Sequence, residues 1–151
     1  MEDFGHLFGC EITASFDIQH LAAGTTGSFQ QAEHLGRRYL KATTSEADAK
    51  NGAGEITVRF TIPAHGFYAL EGLPLGIDGS SDSFNLLLTY ARTGATKPIR
   101  WKFNPRDAGS FAWSPIYGAF LPPGDYRLDL TPRERNAGVA ALRVVRHTAT
   151  N

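Results

Sequence analysis

Several features that would assign a chain to a particular class of protein are missing from this 151-residue sequence. There is one cysteine, Cys10, so no internal disulfide and no cluster of thiolate metal ligands can form. Fifteen basic and fifteen acidic residues cancel, which leaves no global positive field to attract nucleic acid. No apolar run has the length of a membrane-spanning helix. We therefore expect neither nucleic-acid binding nor membrane insertion.

The start of the chain also lacks the features of a secretory signal. Residues 1–6 have no basic start, and no apolar run of roughly 7–15 residues follows them. The protein then either works inside a cell, leaves by a route that needs no signal, or comes from a trimmed exported parent. Cell surface, secreted parent and virion stay open as locations. We expect one domain over residues 1–151, with residues 1–9 as a possible apolar N-terminal arm.

What the sequence does contain is a repeated alternation of apolar and polar residues. A period of two is typical of strands with one buried face. A first strand is predicted in which Ile12, Ala14, Phe16 and Ile18 share that face. Further along the chain, the alternation predicts that the following residues face inward: Ile56, Val58, Phe60, Leu86, Leu88, Tyr126, Leu128 and Leu130.

Turn signals separate the alternating stretches at short intervals, for example at 51–54 and 122–125. About nine strands punctuated in this way predict an all-β chain, a jelly-roll β-sandwich of two antiparallel sheets. The segment 20–36 lacks strand character and is expected to be a loop crossing between sheets, while 29–36 and 45–50 can each form one helical turn. Weaker strands are expected at 37–44, 66–73, 110–120 and 138–146.

Several segments also occur in a specific order: Gly54–Pro63 followed by Gly66–Leu70, Ser81–Phe84, Trp101, Phe111 and Trp113 with Ser114–Pro115, Leu121–Gly124, Tyr126–Leu128, and Arg133–Glu134. This order resembles that of the jelly-roll, galactose-binding-domain-like carbohydrate-binding modules that are attached to bacterial polysaccharide lyases and glycosidases. The first two segments look like paired strands, and Arg133–Glu134 like the turn before the last strand. The resemblance implies a non-catalytic module that binds a polysaccharide or another glycan.

The chain departs from this family at the site where related modules often hold a structural calcium ion. Their last strand begins with an aspartate, whereas residues 139–142 contain no acid. Asp17 and Glu11 alone cannot supply the six to eight oxygen ligands that calcium takes. We therefore expect no cofactor, with a structural calcium as the less favoured alternative.

Candidate ligand-binding residues lie mainly between positions 101 and 117. Sites for neutral sugars need flat aromatic faces together with amide, carboxylate or guanidinium groups. Trp101 shares the face of Ile99, so its place in the core or on a binding platform stays open, as it does for Trp113. The aromatic candidates are Trp101, Trp113 and Tyr117, and the polar ones are Asn104, Arg106 and Asp107.

Arg133 and Glu134 are two further candidates, because opposite charges in the turn before the last strand can bind a hydroxyl group or an acidic sugar. A local ion pair is the alternative interpretation of the same two residues.

The sequence does not favour catalysis. The five histidines are scattered without the spacing of metal ligands, and no nucleophile elbow, phosphate loop or nucleotide fingerprint occurs. The alternative to a sugar-binding module is a structural or decoration subunit of a virion or surface assembly, with protein subunits as partners. Exposed flat aromatics beside polar groups would favour sugar binding, and a broad apolar patch would favour protein contact.

Overall fold

The computed structural model describes residues 10–25, 27, 29–43, 55–75, 83–103 and 112–147. These residues form ten strands and one short helix in two antiparallel sheets, which confirms the predicted all-β sandwich. The larger sheet contains β1 (Cys10–Phe16), β2 (Phe29–His34), β3 (Arg37–Ala42), β5 (Gly66–Leu75), β8 (Ser114–Leu121) and β10 (Gly138–His147). The smaller sheet contains β4 (Ile56–Ile62), β6 (Ser83–Tyr90), β7 (Thr96–Lys102) and β9 (Gly124–Pro132).

The core fills the space between the inner faces of these two sheets. All of the residues predicted to face inward from β4, β6 and β9 are buried, so that prediction is confirmed. The larger sheet contributes Leu70, Leu142 and Val144 to the same cluster. Each such side chain stabilises the fold by about 1.5–3 kcal/mol through burial of its apolar surface.

The predicted buried face of the first strand is partly wrong. Ala14 and Phe16 pack against the core, but Ile12 is 61% exposed. The register of β1 against β10 shifts between Ile12 and Ala14. Such a bulge inserts one residue, so side chains before it point to the opposite face of the sheet. Ile12 therefore lies on the outer face.

The crossing loop predicted at 20–36 is also wrong. A helix, α1 (Ile18–Ala23), begins this region. The Asp17 side chain caps it by accepting hydrogen bonds from the backbone amides of Gln19 and His20. Leu21 is buried beneath it and anchors the helix to the core.

The helical turn predicted over 29–36 is instead a strand, β2, which forms a hairpin with β3. Leu35 and Gly36 both adopt positive φ values at the tip, as two-residue hairpins require. β2 is an edge strand of the larger sheet, and its residues are half-buried or exposed. Because both faces of this edge strand are partly exposed to solvent, its sequence shows little alternation of apolar and polar residues. The second predicted turn, at 45–50, lies outside the described residues.

The weaker strands predicted at 37–44, 66–73 and 138–146 are confirmed as β3, β5 and β10, and β8 begins at Ser114. The two segments that looked like paired strands, β4 and β5, are however in different sheets. β4 pairs with β9, whereas β5 lies between β10 and β8. The turn after Ile62 therefore crosses between the sheets and places β5 between β10 and the edge strand β8 of the larger one.

Candidate functional site

The face of the larger sheet that points away from the core, called the outer face below, carries the best-formed candidate site. β10, β5 and β8 lie side by side, and Arg143 of β10 is the cross-strand partner of Glu71 of β5. Glu71 in turn pairs with Pro115 of β8. The neighbours of these residues along the strands, Leu142, Val144 and Leu70, are in the core. Because side chains alternate along a strand, Arg143 and Glu71 point outward.

Trp113 stands over this row and is 38% exposed. The guanidinium carbon of Arg143 lies 3.9 Å from the centre of the Trp113 ring. Arg143 Nε donates a hydrogen bond of 2.6 Å to Glu71 Oε1, and both side chains are about a quarter exposed, at 25% and 24%. The carboxylate orients the guanidinium, and the guanidinium holds the indole by a cation–π contact. The result is an aromatic ring that is both oriented and accessible.

Trp101 occupies the core alternative that the sequence left open. It is 1% exposed, and its ring forms a three-ring cluster with those of Phe84 and Phe103, at centroid distances of 5.7 Å and 5.1 Å. Its Nε1 donates to Ser114 Oγ over 3.1 Å, so the buried indole nitrogen is satisfied. The prediction of Trp101 as a ligand-binding residue is therefore corrected, because its side chain is buried in the core.

Tyr117 faces inward, away from Trp113. The register between β5 and β8 shifts next to Leu70, which pairs with Tyr117, and Tyr117 packs against the core. Together with Tyr90, Tyr126 and Lys97 it lines a cleft of about 170 Å³ between the edges of β7 and β8. Trp113 and Tyr117 therefore do not share one site.

Arg133 and Glu134 meet at the end of the smaller sheet. Arg133 Nη1 donates to Ser83 Oγ over 2.6 Å, and Ser83 Oγ donates to Glu134 Oε1 over 2.8 Å. The two charged groups are 3.6 Å apart, so the predicted local ion pair is present. The Nε of Arg133 is buried and has no hydrogen-bond partner among the residues that the structure describes. The remaining candidates, Asn104, Arg106 and Asp107, lie outside the described residues.

Sequence reasoning did not identify Arg143 and Glu71, the two residues that hold Trp113. They are 72 positions apart in the chain, and only the pairing of β5 with β10 makes them neighbours. The sequence feature that could have indicated Arg143 is its position as a charged residue within the apolar run 139–145. Identifying its partner requires the sheet topology.

The acids expected near a calcium site lie in or next to β1. Asp17 Oδ1 accepts from the backbone amides of Gln19 and His20 and lies 2.9 Å from His20 Nδ1. The backbone and side-chain bonds from His20 hold the pKa of Asp17 below its usual value. This carboxylate is thus engaged in capping α1. Within the ranges described, no group of three or more His, Cys, Asp or Glu side chains is arranged to hold a metal ion.

The one described helix, α1, is too short to span a membrane.

No family model matches the chain, and no curated protein matches it either. Solved structures do. A carbohydrate-binding module of Cellvibrio mixtus lichenase 5A, solved in complex with cellotriose, matches with a TM-score of 0.60 at 12% identity, over 93% of this chain and 100% of that one. The C-terminal CBM6 of a marine laminarinase from Zobellia galactanivorans gives a TM-score of 0.62 at 12% identity, over 87% and 97%.

A third match is a Podospora anserina GH26-CBM35 β-(1,4)-mannanase, with a TM-score of 0.56 at 16% identity. It covers 95% of this chain but 29% of that one. At such identities the likeness establishes the fold. The resemblance to carbohydrate-binding modules that the segment order predicted is thus confirmed at the level of the jelly-roll β-sandwich.

Proposed function

We propose that this chain is a non-catalytic carbohydrate-binding module in which Trp113 is the platform for a sugar ring. The observation that carries the proposal is the oriented, partly exposed indole of Trp113 beside a paired guanidinium and carboxylate. Two of the matched structures are carbohydrate-binding modules, and the match covers nearly the whole length of each. One of them was solved with cellotriose. Fold and site chemistry support the same class of ligand.

The chemistry of this surface suits a neutral sugar. The apolar face of a pyranose ring packs on an indole, and the equatorial hydroxyls point sideways to polar groups. Arg143 uses its Nε for Glu71, which leaves its terminal nitrogens as donors, and Glu71 keeps a second oxygen as an acceptor. The platform therefore has hydrogen-bonding groups at its rim.

Binding without cleavage is the proposed role because of how the carboxylate is used. Hydrolysis of a glycosidic bond requires two carboxyl groups that flank the bond. The described contacts of Trp113 and Arg143 include one carboxylate, Glu71, and it is held in the ion pair with Arg143. Its function in this proposal is to position Arg143.

The test compares Trp113→Ala with the wild type on a glycan array, and then by titration with a glycan that the wild type retains. Loss of the platform should weaken binding by about 1–3 kcal/mol, roughly ten- to a hundredfold in Kd, with little change in melting temperature. Trp113→Phe, which keeps a flat ring, serves as the matched control and should retain much of the affinity. A wild type that binds no glycan, or a Trp113→Ala variant with wild-type affinity, would overturn the proposal.

Arg133 and Glu134 are proposed as polar contacts of a separate position at the end of the smaller sheet. The partly exposed side chains of Arg133 and Glu134 support this proposal, because together they present donors and acceptors at the surface. Arg133→Lys keeps the charge and removes the guanidinium group. It should lower glycan affinity if the position is used, and unchanged affinity would restrict Arg133 to its structural contact with Ser83.

The second candidate function, a structural or decoration subunit of a virion or surface assembly, stays a prediction. The observation in its favour is the pair of exposed apolar side chains, Ile12 and Phe120, on the outer face. Concentration-dependent self-association of a protein that binds no glycan would favour this candidate.

A further inference from the structure

A second aromatic group lies at the opposite end of the outer face from Trp113. Phe120 of β8 is 70% exposed. Its ring stacks nearly parallel on that of His65, with centroids 6.1 Å apart and an interplanar angle of 15°. Phe67 meets the edge of Phe120 at 5.3 Å and that of His147 at 5.6 Å. Phe120 is therefore an accessible flat ring that packs against His65 and Phe67, with imidazole nitrogens close by.

The strip between Trp113 and this second group is lined by small residues. Val145, Ala69 and Gly118 are aligned across β10, β5 and β8. A Cβ added to Gly118 would lie 3.1 Å from Cζ of Phe67, so the phenyl ring lies low over the glycine. The floor between the two groups is therefore apolar, with the ring of Phe67 lying over Gly118.

The spacing of the two platforms fits a chain of sugars. From Trp113 to Phe120 an extended strand with one bulge advances about 20 Å, which is the reach of about four linked pyranose rings. A single monosaccharide cannot contact both rings.

The charges on this face favour a neutral chain. Between the two platforms, the charged side chains of the aligned rows are Arg143 and Glu71, and they neutralise one another. On the outer side of the smaller sheet, Arg59 and Arg127 are direct cross-strand neighbours, and Arg127 is paired with Asp129. An acidic polysaccharide on the Trp113 side would meet the carboxylate of Glu71 without an unpaired cation to offset it.

We infer that the outer face of the larger sheet binds an extended, neutral polysaccharide across about four sugar units, with Phe120 as the second platform. This inference rests on the proposed function and adds the ligand's length, its charge and a second binding residue. The occupant is a glycan rather than a protein because two separated flat rings, each beside polar side chains, match the repeat of a polysaccharide.

The experiment measures Kd by calorimetry for cello-, laminari- and manno-oligosaccharides from disaccharide to hexasaccharide, with oligogalacturonates as the acidic counterparts. Wild-type affinity should rise with length to about the tetrasaccharide and stay weaker for the acidic series. Phe120→Ala should weaken hexasaccharide binding about tenfold and leave the disaccharide within about twofold, while Trp113→Ala should weaken both. Leu35→Ala, which removes another exposed apolar side chain at the tip of the β2–β3 hairpin, should change neither.

Phe120→Leu is the second variant, because it keeps apolar contact with Phe67 but lacks the flat ring, and it should behave as Phe120→Ala does. The inference is overturned, with the proposed function intact, if the Phe120 variants keep the wild-type length dependence or if affinity is already maximal for the disaccharide. It is also overturned if these variants change self-association in sedimentation experiments and not glycan binding. Absence of any glycan binding by the wild type would remove the proposed function itself.

Discussion

The guanidinium of Arg143 covers the ring of Trp113 at 3.9 Å while its Nε is bonded to Glu71. One arginine thus links a carboxylate in β5 to an aromatic ring at the margin of the larger sheet. A cation–π contact is weak when the cation is free to move, and it gains direction when the cation is fixed by a second bond. The orientation of Trp113 should consequently depend on Glu71, which acts through Arg143.

Replacement of that residue by Glu71→Gln should loosen Trp113 without unfolding the protein. The ion pair is partly exposed, so its loss should cost at most about 1 kcal/mol of unfolding free energy. Glycan affinity should fall severalfold, and quenching of tryptophan fluorescence by acrylamide should increase, because Trp101 is buried and contributes little to quenching. Glu33→Gln, on exposed β2, is the matched control. Unchanged quenching in Glu71→Gln would show that Trp113 is held by other contacts.

Truncation of the two tryptophans to alanine should lower the unfolding free energy by different amounts. Trp101→Ala removes a fully buried ring and should lower the unfolding free energy by about 3–5 kcal/mol in urea titrations. Gly72→Ala should also destabilise the fold, since a Cβ at this position would clash with the Trp101 ring. Trp113→Ala should cost much less stability. Equal losses for both tryptophans would mean that Trp113 belongs to the core as well.

How far the fold followed from the sequence depends on where each strand lies. β4 and β9 form adjacent strands of the smaller sheet, with one face buried and one polar, so the alternation of Ile56, Val58 and Phe60 revealed their orientation directly. In β1 the alternation of apolar and polar residues does not reveal which face each side chain occupies. One inserted residue between Ile12 and Ala14 reverses the face on which Ile12 lies, and no local propensity marks the insertion.

The candidate site was predictable only in part, for a related reason. An aromatic residue followed by Ser114 and Pro115 indicated a strand margin, and Trp113 does lie just before β8. Its partners Arg143 and Glu71 belong to strands far apart in the sequence. The burial of Trp101 and Trp113 differs because Trp101 faces the other sheet and Trp113 does not.

Metal removal should have little effect on stability. Asp17, the acid nearest the expected calcium position, already accepts bonds from the first turn of α1, and residues 139–142 provide no carboxylate. EDTA should therefore shift the melting temperature by no more than about a degree, and added calcium should not raise it. A fall of many degrees that calcium reverses would demonstrate a structural ion.

Stability at alkaline pH should depend on Tyr126. Burial, together with the neighbouring phenols of Tyr90 and Tyr68, raises the pKa of Tyr126 from 10.0 to about 12. The residue is 3% exposed, and its hydroxyl donates a bond of 2.8 Å to the carbonyl oxygen of Pro122. A phenol whose pKa is higher in the folded than in the unfolded state favours folding while it is protonated in both states. This contribution is complete below pH 10 and is lost as the pH rises toward 12.

The variant Tyr126→Phe isolates this effect. At pH 8 it should be less stable than the wild type by about 1 kcal/mol, because the bond to Pro122 is lost. As the pH rises from 10 to about 12, the wild type should lose about 2–3 kcal/mol relative to the variant, since two pKa units correspond to that free energy. Urea unfolding at a series of pH values measures the difference, in which the titrations shared by both proteins cancel. A difference that stays constant between pH 8 and pH 11, or a tyrosinate absorbance titration that is identical in the two folded proteins above pH 11, would show that the pKa of Tyr126 is not raised.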